Sequence, residues 1–232
     1  MRRLREMARD ERGMTLVELL VATAAGMVVM AGIATAMIVT TREVQRVSTH
    51  VEANRQSRLA MSKIVNQLHS ACLTYDFAPI ESESSSTLLS FLHQAGSTAS
   101  LIPVLSKISL SGTTLSQSDY PLSSGTTPTD WIFATIASKT TPLLTGVSQS
   151  SASVPVFSYY GYTEGAISAP FSTSPSLGTT AAEKTVQVNV SFKAAPRTIG
   201  GDASASTAIQ SSTLLRMSPA SFETSSINKP CQ

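Results

Sequence analysis

The chain has 232 residues, 42% of them hydrophobic and 14% charged, with 17 basic and 15 acidic side chains and a formal net charge of +2. So small an excess, carried by the first thirteen residues as shown below, gives no basis for bulk attraction to nucleic acid. Two cysteines and three scattered histidines offer no zinc-ligand spacing such as His-x-x-x-His or Cys-x-x-Cys.

The first thirteen residues form a basic leader in which Arg2, Arg3, Arg5, Arg9 and Arg12 face Glu6, Asp10 and Glu11, a net charge of +2. From Met14 to Thr41 follow 28 residues with one charge, Glu18, and no proline. At about 1.5 Å per residue such a helix crosses a hydrocarbon core of about 30 Å. Positive flanks stay cytoplasmic, so the leader is expected inside and everything beyond Thr41 outside. A secretory signal would place its small-residue cut after the apolar stretch and discard that stretch. Here the small residue, Gly13, precedes it, and a cut there leaves the apolar helix on the mature protein. Glycine also admits close approach of an extended backbone to a peptidase cleft.

The order Gly13-Met14-Thr15-Leu16-Val17-Glu18-Leu19-Leu20 after a basic leader resembles the class III signal of type IV prepilins and type II secretion pseudopilins. The resemblance covers Arg12 to about Thr41. It implies cleavage after Gly13 by prepilin peptidase and N-methylation of the new amino group on Met14. Met14 stands where phenylalanine is commonest in that family, and Thr35 where many major pilins have a proline, which favours a minor subunit or a pseudopilin.

An ionisable group within a bilayer costs roughly 3 kcal/mol on insertion scales and persists mainly where it has a partner. For Glu18 the partner would be the terminal amine of Met14 on a neighbouring subunit, which would neutralise the carboxylate and set the axial register. The other reading is a glutamate that snorkels to the interface.

After Thr41 the charges return with Arg42, Glu43 and Arg46, yet no glycine or proline occurs before Pro79. Val44, Val47 and Val51, then Met61, Ile64, Val65, Leu68 and Cys72, recur at steps of mostly three and four. That spacing predicts that the helix continues to about Ala71 as an amphipathic segment over residues 42–73, laying one stripe on a folded domain. Its basic side, with Arg42, Arg46, Arg55, Arg58 and Lys63, lacks the interleaved aromatics of a nucleic-acid surface and is expected to be solvated.

Residues 74–232 are rich in Ser, Thr, Gly and Pro with short apolar runs, a strand-and-loop signature. The expected strands are Thr87 to Leu92, Ile102 to Leu110, Trp131 to Ala137, Val154 to Tyr162, Thr185 to Phe192 and Ser212 to Met217. In Thr185 to Phe192 the residues Val186, Val188, Val190 and Phe192 alternate with polar ones, as a half-buried antiparallel strand requires. Ser111 to Ser118, Ser123 to Thr129 and Ala166 to Thr180 are expected as polar loops. The fold expected is therefore α+β and pilin-like: a long helix, its first half transmembrane, packed on a mainly antiparallel sheet. The order of elements, with Leu214-Leu215-Arg216-Met217 late in the chain, is similar to the larger PilW-like minor pilins and J-type pseudopilins, and implies a place at or near a fibre tip.

Cys72, where the helix should end, and Cys231, one residue from the end of the sequence, could bridge in an oxidising compartment; alternatively one thiol is buried and the other frayed. His50, His69 and His93 are expected at the surface, and Asp76, Glu81 and Glu83 in a solvated turn. No nucleophile elbow, phosphate loop or paired-carboxylate motif stands out, so no enzyme, metal or cofactor is expected. Asn189-Val190-Ser191 fits a glycosylation sequon but lies within the best strand. Tyr159, Tyr160, Tyr162 and Phe171 fit a core strand running into a turn better than an adhesive loop. Lys184, Lys193 and Arg197 are a candidate loop-borne basic patch. Two functions are compatible with these features. One is a structural subunit that exchanges lipid for other pilin or pseudopilin helices, with Ala22, Ala24, Ala25, Gly26, Ala31 and Gly32 permitting close approach. The other is a membrane-tethered extracytoplasmic binding protein, an adhesin or a module that captures DNA or a secreted substrate.

Overall fold

The computed structural model describes residues 15–72, 78–97, 100–126, 130–195 and 206–215. Gly13, Met14, Asp76, Arg197, Arg216, Met217 and Cys231, singled out above, lie outside them. The chain divides into two compact units, residues 1–48 and 49–232.

Helix α1 runs unbroken over Leu16–His69, 54 residues without an interior proline, ending two residues before the expected Ala71. Its part in the first unit is exposed along its whole length. In the second unit it buries Ala53, Ser57, Ala60, Met61, Ile64 and Leu68, a stripe at three- and four-residue steps. Val44, Val47 and Val51 do not belong to that stripe, contrary to the spacing argument, and stay 60–64% exposed. Three-and-four spacing holds within each group, yet between Val51 and the buried stripe the phase jumps, so the two sets of apolar residues lie on different sides of the helix.

Two antiparallel sheets fill the second unit. The first contains β1 (Leu88–Ser97), β2 (Ser100–Ser111), β3 (Thr114–Ser124), β4 (Ile132–Phe133) and β5 (Lys139–Thr145), with β4 and β5 sharing the outer edge of β3. The second contains β6 (Val147–Ser148), β7 (Phe157–Tyr160), β10 (Gln187–Ala194) and β11 (Thr207–Leu214), with β10 central. A hairpin of β8 (Tyr162–Thr163) and β9 (Ala166–Ile167) and a short helix α2 (Thr179–Glu183) lie between β7 and β10. The free edge of β1 is closed by the segment after α1: Cys72 N–H donates to Leu92 O, Leu92 N–H to Pro79 O and Glu81 N–H to Ser90 O. Covered edges do not recruit foreign strands.

The main core joins α1 to both sheets, with Ala60, Met61, Ile64 and Leu68 against Leu89, Phe91, Ile108 and Leu115 of one and Phe157, Tyr159, Val188, Val190 and Phe192 of the other. A smaller cluster of Cys72, Leu92 and Trp131, with Leu122 and Phe133 beside it, packs separately. The architecture is α+β and pilin-like, as expected.

Several boundaries are corrected. Ser111 to Ser118 is not a loop: Gly112, at φ 59°, turns the chain in a tight hairpin, and β3 begins two residues later. The strand expected over Trp131 to Ala137 shrinks to β4, because a register shift between Leu122 and Ser124 lets it pair β3 at only two positions. The chain rejoins the same edge as β5, which composition did not reveal. Val154 to Tyr162 yields only β7, with Tyr162 passing into the hairpin. The last described strand lies over Thr207–Leu214 rather than Ser212 to Met217.

Candidate functional site

At the start of α1 the Glu18 N–H donates to Thr15 Oγ1 at 3.3 Å. Threonine followed three residues later by glutamate is the sequence of a capping box, in which the hydroxyl accepts from an otherwise orphaned amide. The helix is therefore stopped from within at Thr15, two residues after Gly13. Glu18 lies in its first turn, where the positive end of the helix dipole favours a carboxylate.

The hydroxyls that would be costly in lipid are satisfied within the helix. Thr23 Oγ1 donates to Leu20 O at 3.0 Å, Thr35 to Ala31 O at 2.8 Å, Thr41 to Met37 O at 2.7 Å, and Thr40 to Ala36 O. Such back-bonding removes the unsatisfied donor that would oppose insertion. Among the described residues, nothing lies within 4 Å of where a Cβ would stand on Gly26 or Gly32. By length and composition α1 can cross a membrane.

In the folded domain the histidines are not all superficial. His93 is buried, stacked at 5.4 Å against Phe91, and tied by Nε2 to Ser106 Oγ at 2.9 Å and by Nδ1 to Gln94 O at 3.2 Å. Ser106 donates to Asp119 Oδ1 at 2.6 Å, and Gln117 Nε2 donates to the same oxygen at 2.7 Å. The expectation of a surface histidine fails because cross-strand register carries this residue onto an inward row: Phe91 faces Ser106, which faces Asp119. Sequence separations of 13 residues hid the cluster. Burial lowers the His93 pKa below 6.5, while the Gln94 carbonyl and Asp119 oppose the shift. Serine stands between the imidazole and the acid, whereas nucleophilic activation needs the imidazole between them. Chemically the cluster is a staple across β1, β2 and β3.

Glu81 and Glu83 are likewise more than a solvated turn. Glu83 accepts from Ser90 Oγ at 2.7 Å and pairs with Lys107 at 2.7 Å, and the Lys107 ammonium also lies 5.0 Å from the Tyr120 ring centroid. The Glu81 carboxyl is pushed up to about 7 by burial and by Glu83, against the pull of Lys107.

Cys72 is buried beside Leu92 at the end of α1. The aromatic residues divide: Tyr159 belongs to the core and donates its hydroxyl to Leu88 O at 2.8 Å and Ser85 O at 3.1 Å, while Tyr162 is exposed on the hairpin. Burial raises the Tyr159 pKa. Asn189 is part-buried within β10, and its Oδ1 is enclosed. Lys184 follows α2 and Lys193 lies within β10. Among the described residues no group of three or more His, Cys, Asp or Glu could hold a metal ion.

Residues 8–34 match the prokaryotic N-terminal methylation motif. The match spans the Gly13-Met14 junction, Glu18 and most of the apolar run, which extends to Thr41. It marks the amino terminus as a signal of the type IV pilin and pseudopilin kind, the kind processed by prepilin peptidase. No curated protein matches the chain.

Proposed function

We propose that this protein is a non-enzymatic structural subunit, a minor pilin or pseudopilin. It is cleaved after Gly13, N-methylated on Met14, and assembled into a type IV pilus or a type II secretion pseudopilus at or near the tip. The observation that carries the reading is the methylation motif over residues 8–34, placed on a helix that is capped at Thr15 and apolar enough to span. Before assembly, residues 14–41 hold the subunit in the cytoplasmic membrane with residues 42–232 outside. During assembly the helices exchange lipid for one another, and small residues such as Gly26 and Gly32 allow backbones to approach. Glu18 accepts the charge of a neighbouring Met14 amine and fixes the stagger. Thr35 in an uninterrupted helix supports a minor subunit or pseudopilin, and the tip place rests on the resemblance in length and element order to the larger minor pilins and J-type pseudopilins.

A Cys72–Cys231 disulfide belongs to the same proposal. It would tie the tail to the end of α1, and the enclosed position of Cys72 suits a structural rather than a reactive sulfur.

The test is the amino terminus of the protein taken from sheared surface fibres. N-methyl-Met14 is expected, and Glu18→Ala is expected to leave cleavage intact while incorporation falls at least tenfold. An uncut Met1 terminus on the working form would end the proposal.

A further inference from the structure

The last turns of α1 and strand β1 bound an open cleft of about 450 Å³, within the size range of small-ligand sites. Leu59 is its one apolar side chain; α1 otherwise contributes Ser62, Lys63, Asn66 and Gln67, with Ser70 just past the helix end. Residues three and four apart on a helix stand about 5–6 Å from each other, so the ammonium, the two amides and the Ser70 hydroxyl form one polar row. On the β1 side lie His93 and Gln94. Both nitrogens of the His93 ring are already bonded, to Ser106 Oγ and Gln94 O, so the ring is a fixed wall. The row has unused capacity. Lys63 is exposed and, among the described residues, has no acidic partner. Gln67 Oε1 is enclosed without a hydrogen-bond partner, a cost that a donor would relieve. Ser70 donates its hydroxyl to Gln67 O at 2.8 Å, which leaves lone pairs on Oγ to accept. No carboxylate lines the cleft among the described residues.

We infer that this cleft binds a carboxylated sugar, a uronic acid unit of a polysaccharide. The lining selects that class by exclusion. An apolar ligand would strip water from amides and hydroxyls without replacing their hydrogen bonds. A simple carboxylate meets Lys63 but brings no donor for Gln67 Oε1 or Ser70 Oγ. A neutral sugar supplies donors and leaves the ammonium unpaired. A six-membered ring that carries one carboxylate and several hydroxyls does both. Its carboxylate takes a charge-assisted hydrogen bond from Lys63. Its hydroxyls donate to Ser70 Oγ and to Gln67 Oε1, which a turn of the last side-chain torsion brings to the cleft. The Asn66 amide both donates and accepts, and so spans adjacent hydroxyls. The site lies wholly within residues 49–232, so it stands independently of what happens at Gly13.

The experiment titrates the full chain in detergent with a galacturonic acid trimer and follows binding by calorimetry. The trimer is expected to bind, and its methyl ester, of the same shape without the charge, to bind at least tenfold more weakly. Lys63→Gln should weaken the trimer at least tenfold and leave the ester unchanged, while Asn66→Ala should weaken both. Both residues are exposed, so their loss does not disturb the core. Lys184→Gln removes the same charge from an exposed position that does not line the cleft, and should change nothing. Absence of trimer binding, equal binding of trimer and ester, or an unaltered affinity in Lys63→Gln overturns the inference. An equal loss in Lys184→Gln overturns it too, since the attraction would then be diffuse charge. Displacement of the trimer by an equal concentration of acetate would show that a carboxylate alone suffices, and the sugar assignment would fall.

Discussion

Burial and the neighbouring Glu83 lift the Glu81 carboxyl from 4.5 to about 7, with Lys107 pulling the other way. The folded domain therefore keeps a proton that the unfolded chain releases above pH 4.5. Its favourable contribution is complete below 4.5 and is lost as the pH rises through 7. Glu81→Gln should accordingly stabilise the protein by about 1–3 kcal/mol near pH 8 and by little near pH 4. Urea denaturation at the two pH values measures this, and an equal effect at both would contradict the assignment. His93 has the opposite sign. Burial disfavours the charged ring and lowers its pKa, so the imidazole's contribution is present above pH 6.5 and is lost as the pH falls through its lowered value. Ser106→Ala breaks both links and should cost about 1–3 kcal/mol by leaving polar groups enclosed without partners. A loss under about 0.5 kcal/mol in thermal or urea unfolding, the range of an ordinary surface change, would show that the staple carries little.

Helix α1 presents one stripe to its domain and a different one to its surroundings, and substitutions should separate them. Ile64, fully buried in the main core, should cost about 2–5 kcal/mol when changed to alanine. Val51→Ser should stay within about 0.5 kcal/mol, since nothing in the domain covers that residue. Similar losses for both, measured by chemical denaturation, would mean that the helix packs on another face. The same element shows what a sequence can and cannot reveal. Apolar spacing of three and four located the helix and its buried residues Met61, Ile64 and Leu68, but spacing alone does not fix the phase, and it merged two stripes into one. Strand β10 was legible because Val188, Val190 and Phe192 point one way between polar neighbours. Strand β3 was not, because two of its enclosed or inward positions are Gln117 and Asp119, held there by hydrogen bonds rather than by hydrophobicity. A polar strand whose inward groups are satisfied by residues far along the chain looks, in composition, like a loop. The junction at Gly13 was legible for the opposite reason, since its chemistry is local: a basic flank, one glycine, an apolar run and one carboxylate. The His93, Ser106 and Asp119 cluster exists only after three strands have paired.

At the scale of the whole molecule, the proposed processing would change the charge as well as the length. The complete chain carries a formal +2 and a sequence isoelectric point near 8.6. Removal of residues 1–13 takes away five arginines and three acids, leaving 219 residues with twelve basic and twelve acidic side chains and no net side-chain charge. The basic character thus belongs to residues 1–13, and residues 14–232 carry no net side-chain charge. Neutrality suits the proposed assembly, because like-charged domains brought side by side would repel. The expected outcome is a shift on isoelectric focusing from the basic position of the precursor to a near-neutral position in fibres. Gly13→Leu should hold the protein at the basic position, since a bulky side chain blocks the close approach that glycine permits. If the unaltered protein in fibres focuses with the precursor, the leader has not been removed, and the amine that Glu18 is proposed to meet does not exist.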